Sequence, residues 1–338
     1  MKNDLDKKDV SRRYFLGSTA TALAGIIAAP SISFGAPAFI KNLGKPNSKI
    51  GGVQIGAITY SFRSMESDAE SILKYCVDSG ISAIELMGYT GEDFAGAPTM
   101  PSVGNAQRSQ DLSEAQKKEI AEARAAFNKE MATWRSSVSM DKFVQLRKMY
   151  NSAGVSIYAW KPNALGTNNS DAEIDYACRS AKALGASHIT VELPNESAQS
   201  QRLGVIAAKN KMKVGYHGHL QQTFTAWDEA MNQSKANALN FDLGHYVAAG
   251  FDPIPLLKDK HKDILSMHVK DRQNKENGQA NLPWGQGDTP IVEVLKLMRD
   301  QKYKFPATIE LEYQVPDGSD AVKEVAKCLE FCRKALES

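Results

Sequence analysis

Val214-Gly-Tyr-His217-Gly-His219, Leu239-Asn-Phe-Asp242-Leu-Gly-His245, Ile264-Leu-Ser-Met-His268-Val-Lys270-Asp271 and Ala307-Thr-Ile-Glu310-Leu-Glu312 are four short apolar runs, each ending in groups able to bind a metal ion or move a proton. Five of the 6 histidines lie between His217 and His268. A run with an Ile or Val core that finishes in His, Asp or Glu has the pattern of a buried parallel strand whose end opens into a site. The four runs therefore read as half of a barrel whose strand ends converge on one point.

The same unit recurs toward the amino terminus. Val53–Phe62 reads as strand one, and a helix over Glu66–Ser79 places Ile72, Leu73, Tyr75 and Cys76 at helical spacing. Gly80 stops that helix, and Ile81–Met87 is strand two. Val155–Lys161 and Gly185–Glu192 supply strands three and four, with helical stretches before and after each. Eight strands with helical connections predict a (β/α)8 TIM barrel rather than an open doubly wound sheet. No Gly-rich dinucleotide fingerprint follows strand one, in keeping with that choice. The regular repeat breaks between strands two and three, where a Gly/Pro-rich loop and a polar helix form a helical insertion at about residues 90–138. An insertion of this length reads as a lid over the barrel mouth, the alternative being a surface helix.

The 338 residues are 42% apolar and 24% charged, with a net charge of +2. That balance suits a soluble globular domain and gives no basis for a nucleic-acid partner. Residues 1–38 read as an export signal: a polar, basic Met1–Arg13, an apolar Phe15–Ala29, and the small residues Ala36-Pro37-Ala38. Ser11-Arg12-Arg13-Tyr14-Phe15-Leu16 resembles the twin-arginine motif, which implies export in a folded state to the periplasm or beyond. The apolar segment is shorter than the ~20 residues of a spanning helix and is broken by Pro30, so no stable membrane span is expected after signal removal. Residues 39–52 read as a linker and 53–338 as one barrel domain. Cys76, Cys178, Cys328 and Cys332 lack zinc-site spacing and read as small core residues. Homo-oligomer formation is compatible with the sequence and not specified by it.

In a parallel barrel the active site forms at the carboxyl ends of the strands. Glu192 ends strand four, His217 and His219 strand five, Asp242 strand six, His268 strand seven and Glu310 strand eight. His217 and His219 share a face, as do Glu310 and Glu312. Inward-facing carboxylates and imidazoles repel or stay unsatisfied unless a cation joins them. Oxygen and nitrogen donors without Cys suit one divalent metal ion, Mn²⁺, Mg²⁺, Zn²⁺ or Co²⁺.

The order Glu192-Leu-Pro, Tyr216-His-Gly-His219, Phe241-Asp242-Leu-Gly-His245, Met267-His268-Val-Lys-Asp271, Gly285-Gln-Gly287-Asp288 and Ile309-Glu310-Leu-Glu312 resembles the xylose isomerase-like TIM barrels. That group contains sugar isomerases, tagatose-type 3-epimerases, inosose dehydratase and endonuclease IV, and the similarity spans about residues 53 to 336. The exported bacterial branch, with its lyases acting on 3-keto-glycosides, is the part it looks most like. The resemblance implies that Asp242, His268 and Glu310 are metal ligands. The fourth is where this chain departs from the family, and either Glu192 or one of His217 and His219 completes the shell, Glu192 being the first choice and His219 its substitute. It also implies that His245 contacts substrate hydroxyls. Epimerases of the group carry a Glu on strand five, where this chain carries His217 and His219.

Such a site suits proton abstraction beside a carbonyl, with the metal stabilising the enediolate. His217 or Glu312 is the expected base, and Lys270 joins the catalytic group. Trp160, Lys161, Asp271 and Trp284 are expected to bind substrate, the tryptophans by stacking on a sugar ring. Reprotonation would make the enzyme an isomerase or epimerase; loss of a β-oxygen substituent would make it a lyase. Export and the lack of a Gly-rich phosphate loop point to an unphosphorylated sugar or glycoside. The other readings are an endonuclease IV-like phosphodiester hydrolase and a sugar-binding barrel without turnover.

Overall fold

The computed structural model describes residues 44–101 and 113–338. Among them, eight parallel strands form a closed ring: β1 (Val53–Ile58), β2 (Ala83–Met87), β3 (Ser156–Lys161), β4 (His188–Glu192), β5 (Lys213–His217), β6 (Asn237–Asp242), β7 (Ile264–Val269) and β8 (Ala307–Ile309). Each strand pairs with its sequence neighbours, and β8 pairs with β1 through Ala307↔Ile55 and Ile309↔Ala57, so the ring has no free edge. The (β/α)8 barrel read from the strand pattern is the architecture observed.

Local chemistry sets the helices around the ring. Asp68 caps α1 (Ala69–Asp78) by accepting from the amides of Glu70 and Ser71. A capping box of Ser170 and Glu173 starts α5 (Asp171–Leu184), and Gly185 at φ +80° ends it in the left-handed conformation that favours glycine. β1 stops at Ile58, short of the Phe62 expected, because Thr59–Phe62 turns into a 3-10 helix. Ser61 holds that turn across the barrel end, donating to the Ile309 carbonyl and accepting from the Leu311 amide. At the opposite end Lys49–Ile50 pairs antiparallel with β1, so residues read as linker from sequence form part of the barrel floor. The export signal at residues 1–38 lies outside the described residues.

The insertion contributes α2 (Gly88–Phe94) and α3 (Glu114–Ser137), and α4 (Asp141–Ser152) then leads into β3. Residues 102–112 between them lie outside the described residues, and the lid reading falls partly on these. In the described part, α3 docks by its carboxyl end on the outer ring of helices. Trp134 packs edge-on against Tyr176 of α5 at 5.8 Å between ring centroids. Arg135 is buried, with Nε 2.9 Å from Glu92 Oε1 and Nη1 3.0 Å from Glu173 Oε1, so one guanidinium ties α3 to α2 and α5. Among the described residues the four cysteines are buried free thiols, and no helix is long and apolar enough to cross a membrane.

Removing one partner of a buried ion cluster strands the other charges. Arg135→Ala is expected to cost about 3–5 kcal/mol, read as a lower denaturant midpoint. A loss within ~0.5 kcal/mol would mean that α3 is not anchored through this residue.

Candidate functional site

Four groups meet where the carboxyl ends of β5 to β8 converge. His217 closes β5, Asp242 closes β6, His268 is the penultimate residue of β7, and Glu310 follows β8 directly. The register sets Asp242 beside His268 and His268 beside Thr308. All four are buried, and one ligand atom from each lies within 4.8 Å of the others. His268 Nδ1 is 3.0 Å from Glu310 Oε2 and 3.9 Å from Asp242 Oδ2, while His217 Nε2 is 3.8 Å from Asp242 Oδ2.

The two oxygens of Asp242 are held differently. Asp242 Oδ1 accepts from the His245 amide at 2.6 Å. Oδ2 is buried and ion-paired with Lys270 Nζ at 3.0 Å, with no aligned hydrogen bond among the described residues. Burial, with Glu310 nearby, lifts the Asp242 carboxyl to about 6 against the pull of Lys270. Lys270 is shared among three carboxylates, and a divalent cation at the centre would further stabilise this buried oxygen. Two imidazole nitrogens and two carboxylates are donors that suit such an ion. A second set, His217, His219 and His245, also brings its nitrogens within 4.8 Å, but it offers no carboxylate and its His219 is exposed.

Behind the cluster stands Glu85 of β2, wholly buried in the barrel. Its carboxylate accepts from Thr190 Oγ1 at 2.6 Å and from Asn240 Nδ2 at 3.2 Å, and it lies 2.8 Å from His268 Nε2. His268 thus has a carboxylate at each ring nitrogen. Burial alone would lower its pKa, but Glu85 and Glu310 overcome that and lift it to about 10. Burial would raise Glu85, and His268 draws it down to about 2. Such a carboxylate fixes the ring orientation of a ligand histidine.

Around the rim, charges are paired. Lys270 Nζ lies 2.7 Å from Glu310 and 2.8 Å from Glu312 as well as beside Asp242. Burial disfavours its charge, yet these carboxylates more than compensate and raise its pKa. Lys270 is therefore held as an ammonium ion. Glu192 is half-exposed and takes Lys161 Nζ on one oxygen and His219 Nε2 on the other, both at 2.7 Å. Its hydrogen bond raises the His219 pKa. Burial holds the His217 ring well below the usual imidazole range, with His268 and Lys161 adding to the effect. His217 Nδ1 faces Asn240 Oδ1 at 3.3 Å, which leaves Nε2 turned toward Asp242.

The residues expected from sequence separate into two groups. His217, Asp242, His268 and Glu310 meet at one point, with Lys270, Glu312, His219, His245, Glu192 and Lys161 around it. The place expected for Glu192 beside Asp242, His268 and Glu310 is filled by His217, because Glu192 is drawn outward to Lys161 and His219. Asp271 faces away from the pocket. Its Oδ2 accepts from the amides of Gly285, Gln286 and Gly287, and Oδ1 from Thr289, so it organises a loop. Trp160 is fully buried, edge-on to Phe143, with the backbone of Gly91 so close that a Cβ there would lie 2.6 Å from the ring. No face of it is open to a sugar. Trp284 packs edge-on against Phe331. Glu85, Asn240 and Arg272 were not singled out from sequence. The signal for Glu85 was available: a carboxylate flanked by apolar residues in a strand buried on both faces.

The family described as Xylose isomerase-like TIM barrel matches residues 73–334. An inosose dehydratase of Clostridium perfringens is 28% identical over 154 residues, covering 39% of this chain and 51% of that protein. The chain thus spans about half the length of the curated relatives it matches. Among solved structures, the apo 3-keto-D-glucoside 4-epimerase of E. coli superposes with a TM-score of 0.55 at 11% identity, covering 83% of this chain and 99% of that one. A zinc-bound IolI protein superposes with a TM-score of 0.53 at 16% identity, covering 84% and 99%. At these identities the structural likeness establishes the fold.

Glu85→Gln is expected to weaken divalent-ion binding roughly 10- to 100-fold, because the amide no longer orients His268. Titration calorimetry with Zn²⁺ on folded protein measures this, and an unchanged affinity would remove Glu85 from the site.

Proposed function

This chain belongs to the Xylose isomerase-like TIM barrel family, and from that premise we propose that it is a metal-dependent lyase. Its substrate would be an unphosphorylated keto-sugar or keto-glycoside, deprotonated beside the carbonyl with loss of the β-oxygen substituent. The observation that carries this reading is the convergence of buried His217, Asp242, His268 and Glu310 on one point, with the His219–Glu192 pair at its rim. Those four residues would hold one divalent ion, which when bound supplies Lewis-acid polarisation of the carbonyl.

The chain's own groups account for the proton. His219 gives Nε2 to Glu192, which leaves Nδ1 as the acceptor. Glu192 orients the neutral imidazole and raises its basicity as a carboxylate does in a catalytic triad, and Lys161 holds Glu192. The C–H bond beside the carbonyl breaks and its proton passes to His219 Nδ1. The electron pair forms a C=C bond as the β C–O bond breaks, and the departing oxygen takes the proton back from His219. Lys270 offsets the negative charge of Asp242, Glu310 and Glu312.

Elimination is favoured over two-base epimerisation because β5 supplies imidazoles, where epimerases of this type carry a carboxylate. The names of the relatives, a dehydratase and a keto-glucoside epimerase, support a keto-sugar substrate in either case. The Arg12-Arg13 signal supports export and hence an unphosphorylated sugar.

Purified exported protein is expected to carry about one divalent ion per chain, lost in His217→Ala and His268→Ala. His219→Ala should keep the ion while kcat on a 3-keto-glucoside falls roughly 10²- to 10⁴-fold. Full activity in that variant would move the base to Glu312. Deuterium exchange beside the carbonyl without release of the β-substituent would replace elimination by epimerisation.

A further inference from the structure

Arg272 lies outside the barrel strands, in a two-residue antiparallel pairing of Asp271–Arg272 with Asn281–Leu282. Its guanidinium nevertheless reaches the pocket wall, where Nη1 meets His245 Nδ1. Both residues are 8% exposed. The other guanidinium nitrogens, Nε and Nη2, are fastened to the carbonyl oxygen of Gln279. Gln279 adopts φ +60°, an uncommon left-handed conformation for a residue with a side chain. Its side-chain Nε2 donates to the Ala248 carbonyl at 2.6 Å. Ala248 ends the helix Leu243–Ala248 that carries His245, so anchor and target belong to one closed unit. Gly244 lets the parts fit: a Cβ there would lie 2.3 Å from Lys270 Cγ and 3.3 Å from Arg272 Cγ.

The chemistry of the contact has one solution. A guanidinium has five N–H donors and no lone pair, so the nitrogen it meets must accept. An imidazole whose Nδ1 accepts is neutral and carries its single proton on Nε2. His245 Nε2 is buried and has no partner among the described residues. The His245 ring lies 4.6 Å from that of His219 and 6.2 Å from that of His217. A buried N–H with nothing to bond is costly, and an incoming acceptor oxygen would relieve that cost.

We infer that Arg272 is a positioning residue that locks His245 as a neutral Nε2–H donor, so that His245 selects an acceptor oxygen of the substrate and neither takes protons nor binds metal. The identity of that oxygen rests on the reading of this pocket as a keto-sugar site; the tautomer does not. The same lock separates the two neighbouring histidines by role. His219 has a carboxylate partner and an accepting nitrogen left over, whereas His245 has a cationic partner and a donating nitrogen left over. It also takes His245 out of the three-histidine set as a metal ligand.

The test is a long-range ¹H–¹⁵N spectrum of ¹⁵N-histidine-labelled enzyme loaded with Mg²⁺ near neutral pH, with His245 assigned through His245→Gln. The expected result is a protonated Nε2 and an unprotonated Nδ1. A proton on Nδ1, or on both nitrogens, overturns the inference from the wild-type spectrum alone, whether or not any variant folds. Arg272→Met should abolish the lock, seen as loss of the single Nε2–H form, and lower kcat/KM roughly 10- to 100-fold with the metal content unchanged. Arg272→Lys, which keeps a donor, should restore both. An Arg272→Met spectrum identical to wild type also overturns it. If the tautomer behaves as expected but no keto-sugar is turned over by any form, the substrate reading fails and the Arg272 assignment stands.

Discussion

The imidazole of His268 is held by carboxylates at both nitrogens inside the barrel, and the rest of the site is arranged around that clamp. Glu85 reaches it from β2, on the far side of the ring, and Glu310 from the end of β8. Neither carboxylate could be buried alone, since an isolated buried charge costs several kcal/mol. The clamp makes each burial tolerable, and Thr190 and Asn240 satisfy what remains of Glu85. Because β2, β6, β7 and β8 all contribute, the strand register of the closed barrel and the geometry of the site are one constraint.

Two kinds of ion pair surround this clamp. Lys270 sits among Asp242, Glu310 and Glu312 in full burial, where removing one partner would leave uncompensated charge. The Lys161–Glu192–His219 chain is partly solvated and adds little to stability. Its effect is on proton affinity: the Glu192 hydrogen bond raises His219 while burial depresses His217 and His245. Three imidazoles within a few ångströms thereby acquire different proton chemistry from their partners alone. One faces the buried carboxylates, one a rim carboxylate, and one a guanidinium.

The barrel by itself does not choose a reaction. The same fold carries isomerases, epimerases and dehydratases, and the differences lie in which side chains end each strand. In this chain β5 ends in His217 and has His219 two residues on, and that pair shapes the proposed chemistry more than any feature of the scaffold.

Much of this was legible in the sequence, for a physical reason. Strands buried on both faces must be apolar, so His217, Asp242, His268 and Glu310 at their ends stood out, and the regular alternation with helices fixed the barrel. What the sequence could not supply was direction. Trp160 and Asp271 lie at strand ends and looked like pocket residues, yet α2 covers the first and a loop of amides captures the second. Glu192 and His217 are register neighbours, and only the position of Lys161 and His219 decides that one turns outward while the other joins the cluster. Glu85 and Arg272 are far in sequence from the histidines they orient. Their roles come from contacts across 183 and 27 residues of chain. Strand identity is a local property of burial pattern and was determined by the sequence alone. The partner of each buried polar atom is a property of ring closure and packing, which only the tertiary structure decided.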